Sequence, residues 1–236
     1  MQITPLGDSA LILEIGSQID EPTHQRVQAA FALLEKASLP GVVELVPAYT
    51  TVTVFYDPLV VVEAGAPVDG IAGWLGEKIS ESVGNPRPGW GGLKRRLDIP
   101  VCYGSEFGPD LAEVAQRTHL SPEEVVRLHQ GAEYLVYMLG FSPGFAYMGG
   151  LPKELMLPRK SVPRTAVPAG SVGIANNQSC IYPQATPGGW NLIGRTPLSL
   201  FDPRRDPPVR LRAGDRVRFK GITPEAFATW EDQPWA

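Results

Sequence analysis

The sequence predicts an α+β N-terminal domain followed by a mostly β domain, and three observations predict it. Residues 1–84 alternate apolar strand patterns with two amphipathic helical patterns. Residues 85–92, NPRPGWGG, hold three glycines and two prolines, which can continue neither kind of element. Between Gly140 and Pro197, turn formers, aromatics and arginines alternate with no helical period, the composition of loops on a β scaffold. The expected parts are a small α/β domain over 1–84, a linker over 85–94 and a second domain over 95–236.

Within 1–84 the order reads strand, strand, helix, strand, strand, helix. A Gly7-Asp8 turn leads into the apolar ALILEI of residues 10–15. Asp20 suits the cap of a helix whose Val27, Ala30, Phe31 and Leu34 fall on one face, and Gly41 closes that unit. Residues 42–46 and 51–56 are β-branched around a short turn and predict a hairpin. Residues 68–83 return to a helical period through Ile71, Trp74, Leu75 and Ile79. Helices on one face of an antiparallel sheet follow from this order.

Beyond the break, 97–103 reads as a strand and 109–117 as a helix. Ser121-Pro122-Glu123-Glu124 signs a second helix start, because Ser121 and Glu124 can cap each other's backbone N–H while Pro122 sits where no donor is needed. Residues 133–139 read as a strand feeding the glycine-rich run. Residues 209–211 and 216–220 flank an Ala213-Gly214-Asp215 turn, with Val217 and Phe219 alternating against charges.

A net charge of -4 gives no electrostatic basis for a nucleic-acid partner. No segment approaches the roughly 20 apolar residues of a membrane span, and the N-terminus lacks a basic lead. The expected location is therefore cytoplasmic, with no membrane partner. Cys102 and Cys180 stand outside any C-x-x-C spacing and the three histidines show no ligand spacing, so no metal site is expected.

Gly140-Phe141-Ser142-Pro143-Gly144 has the G-x-S-x-G spacing of a nucleophile elbow. Two facts exclude that chemistry. Pro143 has no N–H to give an oxyanion hole, and His24, His119 and His129 all precede Ser142, where that fold needs a histidine after it. No phosphate-binding glycine loop occurs. The run suits a pocket instead. Arg159, Arg164 and Arg195 offer planar donors for a carboxylate or phosphate, and Tyr147, Tyr182 and Trp190 offer flat faces with polar edges. Pro143, Gly144, Gly170, Gly188 and Gly189 would shape its loops, and Arg164, Gln178, Tyr182, Trp190 and Arg195 are expected to converge on one cleft. A set of surface turns has the same composition. His129 reads either as a helix-end histidine packed on the next strand or as the candidate catalytic base.

GFSPGFAYMGGLP, then PR, VPAGSVGIA, IYP and TPGGWNLIGRTP in that order resemble the PxpB/KipI family, the B subunits of bacterial ATP-dependent 5-oxoprolinase, also known as allophanate hydrolase subunit 1. The likeness runs upstream through LDIPVCYG and EYLVYMLGF and downstream through LRAGDRVRF, covering nearly all of 97–220. Ala175 to Cys180 depart from the glycine-rich stretch of the family while keeping Gln178 in register. The resemblance implies a cyclophilin-like barrel over 95–236. It also implies an ATP-dependent complex that opens 5-oxo-L-proline to L-glutamate. The implied partners are a LamB/YcsF-like A subunit and a C subunit related to allophanate hydrolase subunit 2. In such a site Arg159, Arg164 and Arg195 would serve anionic groups, Gln178 and Asn191 would orient the lactam amide, and Tyr182 and Trp190 would stack on its ring. The same family implies two alternatives: a KipI-like inhibitor of a histidine kinase, which is a binding module, and a component of an allophanate or urea pathway hydrolase.

Overall fold

The structure is a computed structural model that describes residues 1–86 and 95–231. Contacts divide the chain into two compact units, Met1–Leu93 and Lys94–Ala236. Most of the expected linker over 85–94 lies outside the described residues.

In the first unit, β1 (Gln2–Pro5), β2 (Ala10–Glu14), α1 (Glu21–Ala37), β3 (Val42–Pro47), β4 (Thr51–Tyr56), α2 (Pro58–Glu63) and α3 (Ile71–Val83) follow in order. The strands form one antiparallel sheet, β1-β2-β4-β3. Asp20 caps α1 by accepting the Thr23 N–H at 2.8 Å. Val27, Ala30 and Leu34 then bury against Leu11, Leu13, Val52 and Val54 of the sheet and Leu75 and Ile79 of α3. Two details differ from expectation. Helix α2 is additional: Asp57 accepts the Leu59 N–H at 2.9 Å and Pro58 opens it, but six residues are too few to display a period. Helix α3 starts at Ile71 rather than residue 68, because the Gly70 N–H closes a turn on the Pro67 carbonyl.

The second unit contains β5 (Arg96–Tyr103), α4 (Leu111–Thr118), α5 (Pro122–Gly131), β6 (Tyr134–Leu139), β7 (Ala146–Gly149), β8 (Arg164–Val167), β9 (Ser171–Ala175), β10 (Gln178–Ile181), β11 (Thr186–Gly188), β12 (Asn191–Arg195), β13 (Arg216–Gly221) and α6 (Pro224–Ala228). Seven strands close a barrel in the order β10-β7-β6-β13-β5-β12-β9, while β8 and β11 pair apart as a ribbon. The run from Gly140 to Pro197, expected as loops, thus supplies six strands. Their lengths of three to five residues are too short for a period of two to show between the turn formers.

Alternation sorts the barrel into two faces. Ile99, Val101, Tyr134, Val136, Ala146, Met148, Val172, Ile174, Ile181, Ile193, Val217 and Phe219 point inward into one core. The capping box of α5 forms as expected, with the Ser121 N–H on Glu124 at 2.8 Å and the Glu124 N–H on Ser121 at 3.2 Å. The expected turn at 213–215 forms, with the Asp215 N–H on the Arg212 carbonyl at 3.1 Å. β13 pairs parallel with β5 and antiparallel with β6, and Val209 only bridges Phe201. The Asp215 carboxylate accepts the Arg212 N–H at 2.7 Å and is clamped by Arg95, just before β13 begins. Among the described residues, no helix is long and apolar enough to cross a membrane.

Candidate functional site

The outer side of β9, β10 and β12 carries a second, smaller core. On the β10 segment, Ser179 and Ile181 face the barrel interior, so Gln178, Cys180 and Tyr182 face outward. There Phe145, Val167, Ala175, Cys180, Tyr182, Trp190 and Leu192 pack together, with Tyr147 against them. The rings meet edge to face, Phe145 with Tyr182 at 5.1 Å and with Tyr147 at 4.8 Å. The β8–β11 ribbon roofs this cluster, since Val167 belongs to it and Gly188 lies against the Tyr182 hydroxyl. Exposed Arg159 sets its guanidinium 5.3 Å from the centre of the Trp190 ring, a cation–π contact.

A charged network borders the same cluster. Asp110, buried before α4, accepts from Arg164 Nη2 at 2.6 Å, Lys160 Nζ at 3.0 Å and the Leu192 N–H at 2.7 Å. Burial pushes its carboxyl up, but the hydrogen bonds from Arg164, the Leu192 N–H and Lys160 outweigh that and hold it below the usual range. Lys160 also reaches Glu113 at 2.7 Å.

The structure brings some of the expected residues together and disperses others. Arg159, Gln178, Tyr182 and Trp190 share the outer face with Tyr147, and Arg164 borders it through Asp110. Trp190 and Tyr182 are 4% and 1% exposed, so the expectation that they stack on a ligand ring is corrected: they pack on the protein's own rings. Asn191 is corrected in the same way. It faces the barrel interior, and its Nδ2 donates to the Pro158 and Ile174 carbonyls, both at 3.1 Å. Arg195 does not join the cleft. It stands at the far end of β12, donates to the Ala169 carbonyl at 2.7 Å and lies 6.0 Å from the Phe227 ring.

Of the loop-shaping residues, Gly144 and Gly170 hold positive φ, and a side chain at Gly170 would run into the Thr196 carbonyl. Gly188 leaves room for the Tyr182 hydroxyl, whereas a Cβ at Gly189 would meet nothing closer than 3.6 Å, so that position does not need glycine. Pro143 and Gly144 line a cavity of about 350 Å³ with Leu139, Gly140, Phe141, Ser142 and Val209. Sequence reasoning missed Asp110 and Gly173. A Cβ at Gly173 would press on Trp190 at 2.9 Å, and only the three-dimensional neighbour reveals that role.

His129 is corrected from candidate base to buried support. It is fully buried, stacked on Phe219 at 4.5 Å, and burial alone lowers its pKa from 6.5 to about 3. Its ring lies in a chain of hydrogen bonds: Tyr103 Oη to Nδ1 at 2.9 Å, Nε2 to Ser179 Oγ at 3.1 Å, and Ser179 Oγ to the Gly173 carbonyl at 3.3 Å. Since the carbonyl only accepts, Ser179 donates to it, His129 carries its proton on Nε2, and Nδ1 accepts from Tyr103. Cys180 is buried as well, and burial holds its thiol well above the ordinary range, so it is no nucleophile. Among the described residues no three His, Cys, Asp or Glu side chains group as metal ligands.

The family model of the carboxyltransferase domain, subdomain C and D, matches residues 1–211. The 5-oxoprolinase B subunit of Bacillus subtilis (strain 168) is 46% identical over 237 residues, covering 98% of this chain and 97% of that protein. The 5-oxoprolinase B subunit of Escherichia coli O157:H7 is 44% identical over 214 residues, covering 91% of this chain and 93% of that protein. The crystal structure of TTHA0988 matches with a TM-score of 0.76 at 38% identity over 90% of this chain, which spans 40% of that longer chain. With the family model matched over most of its length and these B subunits matched nearly end to end, the chain belongs to the family of 5-oxoprolinase B subunits, built on carboxyltransferase-type C and D subdomains.

Proposed function

We propose that this chain is the B subunit of a cytoplasmic 5-oxoprolinase that opens 5-oxo-L-proline to L-glutamate with ATP hydrolysis. It works in a complex with a LamB/YcsF-like A subunit and a C subunit related to allophanate hydrolase subunit 2. The observation that carries this reading is the near full-length likeness to B subunits of that name. It favours this role over the kinase-inhibitor and urea-pathway alternatives. The two compact units are read as separate domains joined over 85–94, the second a cyclophilin-like barrel.

A lactam carbonyl is deactivated by amide resonance, and phosphorylation of its oxygen by ATP makes the carbon open to water. That chemistry needs donors where charge develops and an anchor for the substrate carboxylate. Exposed Arg159 is assigned the anchor, beside Tyr147 and Gln178. With His129 sealed in the core and Cys180 held as a thiol, the chain contributes binding and orientation rather than a nucleophile. ATP enters as a co-substrate of the assembled complex. The test is co-purification with the A and C subunits, followed by glutamate release from 5-oxoproline with and without ATP. Release by the assembled complex only, and only with ATP, is expected. Turnover by the isolated chain would refute the division of labour, and an inactive complex would refute the function.

A further inference from the structure

We propose that Asp110 is the positioning residue of the Arg159 face, a role that rests on the site reading above. One buried carboxylate ties together the three segments that build this face. Its bond to Lys160 fixes the residue next to Arg159, and the Lys160 N–H is further held on the Gly189 carbonyl at 2.7 Å. Its bond to the Leu192 N–H, returned by the Asp110 N–H on the Leu192 carbonyl at 2.9 Å, fixes β12 two residues past Trp190. Its bond to Arg164 fixes β8, whose partner β11 roofs Tyr182 through Gly188. Arg159 and the ring beneath it are therefore placed by the same group. Asp110 does not itself reach the exposed surface, since its side chain is only 4% exposed.

Asp110→Asn keeps the shape but not the chemistry. An amide presents one acceptor and two donors, so whichever way it turns, at least one of the Leu192 N–H, Lys160 and Arg164 faces a donor. Asp215→Asn is the matched control: Asp215 is a buried carboxylate clamped by an arginine and a backbone N–H elsewhere in the same unit. In the assembled complex, Asp110→Asn is expected to raise the KM for 5-oxoproline by about tenfold or more with a smaller change in kcat, and Asp215→Asn is not. If Asp110 acts through Arg159, adding Asp110→Asn to Arg159→Ala raises KM little further, whereas independent effects would multiply. The activity-free readout is the indole N–H resonance of Trp190, assigned by its loss in Trp190→Phe. It should shift in Asp110→Asn and stay in place in Asp215→Asn. An indole signal unmoved by Asp110→Asn, or moved equally by both variants, overturns the proposal. If Arg159→Ala leaves KM unchanged while Asp110→Asn still moves the indole, the placement of the face stands and the assignment of that face to 5-oxoproline falls.

Discussion

Replacing His129 by phenylalanine should flatten the acid side of the barrel's stability profile, and the size of the effect follows from burial. In the unfolded chain His129 takes up a proton near its ordinary value of 6.5, while in the folded barrel it does so only near 3. Between those values the unfolded state binds more protons, so stability is full above about pH 6.5 and is lost as pH falls. At about 1.4 kcal/mol per unit, acidification from pH 7 to pH 5 removes roughly 2 kcal/mol through this one side chain, and the ceiling near pH 3 is about 5 kcal/mol. Phenylalanine can keep the stacking on Phe219 but leaves Tyr103 Oη and Ser179 Oγ short of a partner, so the variant starts about 1–3 kcal/mol less stable at pH 7. The informative quantity is the difference between the two pH values, because contributions common to both proteins cancel. Urea unfolding of the full chain at pH 7 and pH 5, with exchange protection of the β6 and β13 amides as the barrel-specific probe, measures it. Equal losses in wild type and variant would show that His129 is not held neutral by the core.

Gly188→Ala should cost about 1–3 kcal/mol, because its Cβ collides with the Tyr182 hydroxyl, whereas Gly189→Ala should lie within about 1 kcal/mol of wild type; thermal unfolding separates them. Trp190→Ala should destabilise the second unit by about 3–5 kcal/mol, the scale of a truncated core aromatic, and calorimetry showing an unchanged transition would contradict its burial. Limited proteolysis should cut first within 85–94 and release two protected fragments; an uncut fragment spanning 60–130 would argue against two domains.

Much of the architecture was legible because local chemistry and tertiary position agree in it. Asp20, Ser121 with Pro122 and Glu124, and the period of Val27, Ala30 and Leu34 each specify a helix without outside help. The alternation of Val52, Val54 and Tyr56 specifies a strand in the same way. Where a segment depends on a distant partner, the reading failed. The turn at 213–215 is legible, but the clamp of Arg95 on Asp215 and the parallel pairing of β13 with β5 join residues far apart in sequence and leave no local signal. Asp110 was invisible for the same reason: a lone aspartate before a helix gives no hint that Lys160, Arg164 and Leu192 will meet on it.

The candidate site shows a sharper ambiguity, since glycine beside an aromatic serves a ligand pocket and a small core equally well. Here Gly188 seats the Tyr182 hydroxyl and Gly173 seats Trp190, so those glycines make room for the protein's own rings. That shifts the recognition surface outward by one layer. Trp190 is the floor under Arg159 rather than a stacking face, with the guanidinium carbon 5.3 Å from its ring centre in a cation–π contact. The in-plane N–H groups are left to donate, and among the described residues no hydrogen bond claims them. A planar fork pinned from below is preorganised for a carboxylate arriving in its own plane, at a smaller entropic cost than a mobile lysine would carry. Arg159→Lys should therefore lose most of the effect of the native residue on KM despite keeping the charge, because an ammonium over Trp190 offers no coplanar pair of donors. Full activity in that variant would mean that the positive charge alone, and not its orientation by Trp190, matters at this face.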